Sequence, residues 1–200
     1  IMAYFFIVQI ITSFSFSRVG FDIANDIYRG DFANFMLKPI NYIAMRMAHE
    51  MSKNIFRMTL GIVIFGTLLV IFFGGIPFTS WKIPLALLAL VLAYFVNVFL
   101  VCIIALSAFW IINAKRLLFI YFGILTIFSG MTVPIDLFPP AWMRIIQLLP
   151  FPYIFYFPAR ILQAESWDPF FTQGFLLQFA YSLGLGALTW FMYHRGVRRF

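Results

Sequence analysis

Few residues in this chain have the types and spacing needed for chemistry. HEMSK, from His49, begins as a zinc-protease helix does, but Lys53 stands where the second histidine must be. With only two histidines in the chain, a catalytic zinc site lacks ligands. GLGALT, from Gly184, has two glycines of a dinucleotide loop, yet it follows no strand and sits inside an apolar run. No glycine is followed by lysine, so the chain has no phosphate-binding loop and does not itself hydrolyse ATP through one. No serine occupies a nucleophile elbow. Asp136, Glu165 and Asp168 are the acids a lipid-modifying enzyme would have to use, and loop solvation explains them more simply. Cys102 is the sole cysteine, which excludes an intrachain disulfide and a cysteine metal cluster.

The elements that could position any such residue are set by composition. Of 200 residues 64% are hydrophobic, 10% are charged and 28 are phenylalanine. A soluble domain carries about a quarter charged residues, so this chain has too little polar surface to cover a globule in water. The reading is an all-α integral membrane protein. Five runs suffice to cross a bilayer: Ile1 to Ser17, Met58 to Ile76, Ile83 to Ala114, Leu117 to Ile135, and Phe170 to Tyr193. Ile1 stands directly in an apolar stretch without the charged start of a signal peptide, and the expectation is a truncated N-terminus.

Charge placement gives an orientation. With Ile1 outside, Arg18, Arg29, Lys38, Arg46, Lys53, Arg57, Lys115, Arg116, Arg195, Arg198 and Arg199 fall on the cytoplasmic side. Lys82, Arg144 and Arg160 face outward. That bias accounts for the net charge of +7 as a topology signal, with no need for nucleic acid. The five tryptophans lie near span ends, as interfacial anchors should. Span interiors contain no Asp, Glu, Lys, Arg or His. A charge at mid-membrane costs about 2.5–3.5 kcal/mol, and ion-coupled transporters accept that cost for a coupling group. A secondary transporter or channel is therefore disfavoured. Asn97 and Gln178 are the conspicuous polar residues within spans and read as interhelical glue. Ala180 with Gly184, or Ser182 with Gly186, offers a small-residue face for close helix approach.

Two segments fall outside the span pattern. The insert spanning residues 18–54 is polar. Asp22 is placed to cap a short helix ending at Gly30, Asp31 to cap Phe32 to Leu37 before Pro39, and Asn41 to cap a helix running into the second span. Its amphipathic pieces suit either a lipid surface or a partner's groove. The second segment, residues 134–163, holds six of the ten prolines and has an uncharged run too short to cross. Crossing would also place the basic C-terminus outside. The reading is a re-entrant helical pair on the outer face, shielded by protein, in preference to a loop resting on the headgroups.

Two motifs carry a family resemblance over essentially the whole chain. IYRGDFANFMLKPIN, Ile27 to Asn41, is similar to the cytoplasmic "G-x-(L/F)…L-(R/K)-P" segment of type-2 ATP-binding cassette (ABC-2) exporter permeases of bacteria. SGMTVPIDLFPPAW…LLPFPYIFYFPARIL resembles their "SG…P…FP-x-W…LPF…P" segment before the last span. The resemblance implies a single permease domain over residues 1–200, six spans in the intact subunit, and a second permease subunit as homo- or heterodimer. It also implies a separate ATPase that holds ATP and magnesium, a location in the bacterial inner membrane and a cytoplasmic C-terminus. Asp22, Ile27, Arg29, Gly30, Asp31, Phe32, Phe35, Leu37, Lys38 and Pro39 would then form the ATPase-coupling element. Gly130, Pro134, Phe138, Pro139, Trp142, Pro150, Phe151 and Pro158 would form the outer gate. With Phe32 and Leu37 both seated in the ATPase, aspartate at either is expected to spare membrane insertion and abolish coupling.

Overall fold

A computed structural model describes residues 2–37, 39–75, 81–164 and 166–199. Ile1, Lys38, Ile76 and Glu165, which enter the reading above, lie outside the described residues. No strand occurs among the described residues; ten α-helices do. They are α1 (Met2–Ser15), α2 (Val19–Arg29), α3 (Phe32–Met36), α4 (Tyr42–Gly61), α5 (Thr67–Phe73), α6 (Lys82–Leu106), α7 (Ala114–Phe128), α8 (Pro140–Ile146), α9 (Tyr156–Gln163) and α10 (Pro169–Val197). A π-helical stretch, Ile62–Gly66, joins α4 to α5 without a break.

Among the described residues, four helical stretches are long and apolar enough to cross a membrane: Met2–Arg29, Tyr42–Phe73, Lys82–Phe109 and Pro169–Val197. The fourth run read from sequence, Leu117 to Ile135, yields only the 15 residues of α7, about 22 Å at 1.5 Å per residue. That helix ends at Ser129, and residues 130–134 lead into the proline-rich segment. The third run also stops short of Ala114: α6 closes at Leu106 into the tight turn Ser107–Phe109. All five tryptophans are exposed, as is a broad belt of Ile, Leu, Val and Phe on α4, α5, α7 and α10. That surface suits hydrocarbon rather than water.

Helix α6 is the axis of the bundle and touches α1, α2, α7, α9 and α10. Ala86 and Ala89 give α9 and α10 room to approach, with Tyr153, Phe157, Ile161 and Phe171 filling the space between. On α10 it is Gly186 that meets α6, where an added Cβ would lie 3.2 Å from Phe99, whereas Gly184 faces open space. Of the two small-residue faces offered by the sequence, the one through Gly186 is used.

The first long stretch is broken at Phe16–Arg18, between α1 and α2. A break inside an apolar bundle frees backbone groups that cost several kcal/mol each if unmet. Side chains from two other helices meet them. Asn54 Nδ2 donates to the Phe14 carbonyl at 2.7 Å, and Asn97 Nδ2 to the Ser15 carbonyl at 2.6 Å. The Arg18 N–H donates to Glu50 Oε1 at 2.9 Å. Tyr121 in turn donates to Asn97 Oδ1, which fixes that amide's orientation. Asn97 and Gln178 are thus glue: Gln178 Nε2 donates to Ala89 O at 3.0 Å and Tyr153 O at 2.7 Å.

Replacing Asn97 by leucine leaves the Ser15 carbonyl and the Tyr121 hydroxyl buried without partners, a loss of about 2–5 kcal/mol. Thermal unfolding of the purified protein should show a clear fall in midpoint for Asn97→Leu. Thr126→Ala, which removes an exposed hydroxyl bonded to its own helix at Phe122 O, should leave the midpoint unchanged.

Candidate functional site

The polar insert folds as an elbow at the end of the bundle that carries Arg29, Lys115, Arg116 and Arg195. Helix α2 starts at Val19 rather than at Asp22, which lies half-buried in its first turn, where a carboxylate complements the helix dipole. The apolar face of α2 (Val19, Gly20, Ile23, Ala24, Ile27) is buried against α6 and α7. Neither lipid nor a partner can take that face. Gly30 ends α2 at φ 79°, a left-handed turn that an L side chain rarely adopts. Asp31 makes no side-chain capping bond to α3, whereas Asn41 accepts from the Ala44 N–H at 3.0 Å and caps α4 as expected.

Phe32 differs most from its expected place. It is fully buried, with ring centroids of Tyr42, Phe109 and Tyr193 at 4.9, 5.3 and 6.3 Å. Its ring pins the elbow to α4, to the turn after α6 and to α10. An aspartate at this position would bury a charge and weaken the fold itself, whereas the sequence reading expects it to spare insertion and abolish coupling. Phe35 is half-buried, while Leu37 is 86% exposed, with Arg29, Asp31 and Pro39 exposed around it. Leu37 therefore presents the apolar tip of the elbow.

A second set of contacts ties the elbow to α4. Asp26 pairs with Arg46 and accepts from the Tyr42 hydroxyl. The Arg46 guanidinium lies over the rings of Phe35 and Tyr42, at 5.1 and 5.6 Å. Tyr42, Arg46, Glu50 and Asn54 recur every four residues, one per helical turn, on the inward face of α4. Sequence reasoning missed this stripe, although its spacing was available. It passed over Glu50 as part of the abortive HEMSK motif. Glu50 is 2% exposed, accepts from Arg18 N–H and has Arg57 Nη2 at 3.4 Å and Lys53 Nζ at 3.8 Å. His49 is exposed and joins none of these contacts.

The proline-rich segment lies at the opposite end. Gly130, at φ 81°, offers its carbonyl to the Tyr4 hydroxyl, and a Cβ there would fall 2.8 Å from both Tyr4 and Tyr156. The Tyr156 N–H donates to Ser129 O at 3.0 Å, and its hydroxyl to Asp136 Oδ1 at 2.7 Å. Burial, then the bond to Asp136, holds the Tyr156 phenol above its ordinary range, so it remains a donor. Arg160 closes the clasp on Asp136 at 3.1 Å. Residues 152–159 are buried throughout, so this half is enclosed by protein. Pro134 and Pro158 are buried, Phe138, Pro150 and Phe151 are half-buried, and Pro139 and Trp142 are exposed on the outer half. Between the two ends, α1, α4, α5, α6 and α9 enclose an apolar recess of about 610 Å³ that includes Ile11, Met58, Leu69, Ala86, Leu90 and Pro158.

Comparison with known proteins gives a family. A family model described as ABC-2 family transporter protein matches residues 1–200. No curated protein matches, and no solved structure matches. The several long apolar helices and the match over the full length establish a multi-pass membrane transport subunit of an ABC transporter, a permease and not itself the catalyst. The chain belongs to the ABC-2 family of transporter membrane proteins.

Proposed function

We propose that this chain is one permease half of an ATP-driven exporter, moving an amphipathic or hydrophobic compound outward. A separate ATPase holds ATP and magnesium, and a second permease subunit completes the pathway. The observation that carries this reading is the elbow: a polar, aspartate-rich segment with an exposed apolar tip, fastened from within to a helix long enough to span. The elbow faces the cytoplasm, as the basic residues and the C-terminus do. The ATPase cleft receives Leu37 with Arg29, Asp31 and Pro39 around it, and Lys38 belongs to the same contact. Asp22, Ile27, Gly30, Phe32 and Phe35 shape and stiffen the elbow from inside.

Nucleotide closure of the ATPase pair pushes the elbow, and the uninterrupted run of α4, the π-helical stretch and α5 carries that push across the bilayer. At the outer face the segment containing Gly130, Pro134, Phe138, Pro139, Trp142, Pro150, Phe151 and Pro158 acts as a re-entrant gate. Its buried half supports this position, because irregular backbone at membrane depth needs protein around it. α7 counts as a crossing too, since Lys115 and Arg116 begin it at the basic end and Gly130 follows it at the clasp. That gives five spans here and six in the intact subunit, in a bacterial inner membrane. The apolar recess suits a greasy cargo.

Leu37→Asp should leave insertion and thermal stability unchanged while lowering ATPase association and stimulated turnover about tenfold or more. Phe32→Asp should instead lower the unfolding midpoint itself. Unaltered ATPase binding in Leu37→Asp would overturn the docking assignment. Sidedness has its own check, because the one native thiol, Cys102, is fully buried. An impermeant maleimide added outside intact cells should label Gln163→Cys on α9 and spare Ala33→Cys on α3. The reverse pattern would invert the topology.

A further inference from the structure

The seam around the α1–α2 break leaves positive charge uncompensated. One buried carboxylate, Glu50, faces two cations, Arg57 at 3.4 Å and Lys53 at 3.8 Å, and takes only a backbone N–H from Arg18, whose charge it does not meet. The Arg18 guanidinium itself lies 5.8 Å from the Phe16 ring centroid. A recess of about 460 Å³ opens beside these groups, lined by Thr12, Ser13, Phe16, Arg18, Arg57 and Met131. Thr12 Oγ1 is enclosed and has no hydrogen-bond partner. Gln9, Thr12, Ser13 and Phe16 recur at helical spacing on the side of α1 opposite its buried Ile7, Val8, Ile11 and Phe14. Hydrocarbon contact alone gives no reason for a polar stripe along an apolar span. The two arginines stand at the same edge of the hydrocarbon layer, for Arg18 follows the apolar run of α1 and Arg57 precedes that of the second span.

We propose that this recess binds the anionic head, phosphate or carboxylate, of a membrane amphipath whose chains remain in the bilayer. Guanidinium forks match the paired oxygens of either group, and the Thr12 hydroxyl adds a donor further along α1, while that of Ser13 is already given to the Gln9 carbonyl. Phe16 and Met131 supply an apolar wall for the first carbons of the tail. That such a molecule is cargo rests on the permease reading; that it binds does not. Lys115, Arg116 and Arg195 lie at the same end of the bundle but line no part of this recess, which separates a built site from general attraction to an acidic leaflet.

The test uses the purified chain in phosphatidylcholine nanodiscs titrated with phosphatidylglycerol, without nucleotide or ATPase, with bound lipid counted by native mass spectrometry. Arg18→Gln with Arg57→Gln should weaken retention about thirtyfold, about fivefold for each cation removed. Both substitutions should keep the unfolding midpoint, since Arg18 holds Glu50 through its backbone and Lys53 stays beside Glu50 when Arg57 is replaced. Arg116→Gln should stay within about twofold of the parent protein. An equal loss in Arg116→Gln, or none in the double variant, would overturn the site. Displacement of the lipid by millimolar inorganic phosphate would also overturn it, by making the recess a site for free anions. Failure here with ATPase binding intact leaves the permease reading standing, and the opposite result separates the two the other way.

Discussion

Three backbone groups that lose their helical partners at Phe16–Arg18 set most of what surrounds them. The carbonyls of Phe14 and Ser15 and the amide of Arg18 must be met inside an apolar bundle, and water is not available to do it. Asn54, Asn97 and Glu50 reach them from α4 and α6, which fixes how those helices stand against the first span. The break also redirects the chain, so that α2 slides between α6 and α7 instead of leaving the bundle. Gly20 permits this, since a Cβ there would fall 2.5 Å from Val101.

The same inward stripe of α4 that holds the break also holds the elbow. Tyr42 and Arg46 engage Asp26 at one end, and Glu50 and Asn54 engage the first span two turns further on. A push on the exposed tip at Leu37 therefore meets a body stiffened by an ion pair, by the buried Phe32 ring and by backbone hydrogen bonds. On the proposed function such a body moves as a unit and delivers its displacement to the helix that continues into α5. The far end differs in kind: its clasp of Tyr4, Gly130, Asp136, Tyr156 and Arg160 is built from a few polar links around proline-bounded turns.

Much of this was legible in the sequence because the signals were strong and local. Apolar runs gave the long helices, Gly30 and Asn41 gave the ends they mark, and six clustered prolines gave the irregular outer segment. The misses have a common cause. Phe32 sits in a polar stretch, so its ring reads as surface until three distant aromatic residues close over it. Asp22 has a capping residue's chemistry, but burial of Val19 and Gly20 against α6 and α7 starts the helix a turn earlier. Glu50 and Asn54 show their meaning only when the break they satisfy is known. α7 is shorter than its apolar run because Gly130 turns the chain into the clasp.

The central claim is that elbow and α4 form one rigid body. Spin labels at Ala33 on α3 and Ser52 on α4, both exposed, report that distance directly, and a pair at Ala33 and Ala187 on α10 reports the elbow against the rest of the bundle. In the assembled transporter, ATP binding should leave the Ala33–Ser52 distribution narrow and unmoved while the Ala33–Ala187 distribution shifts. A shift or broadening of the Ala33–Ser52 distance on ATP binding would contradict the account.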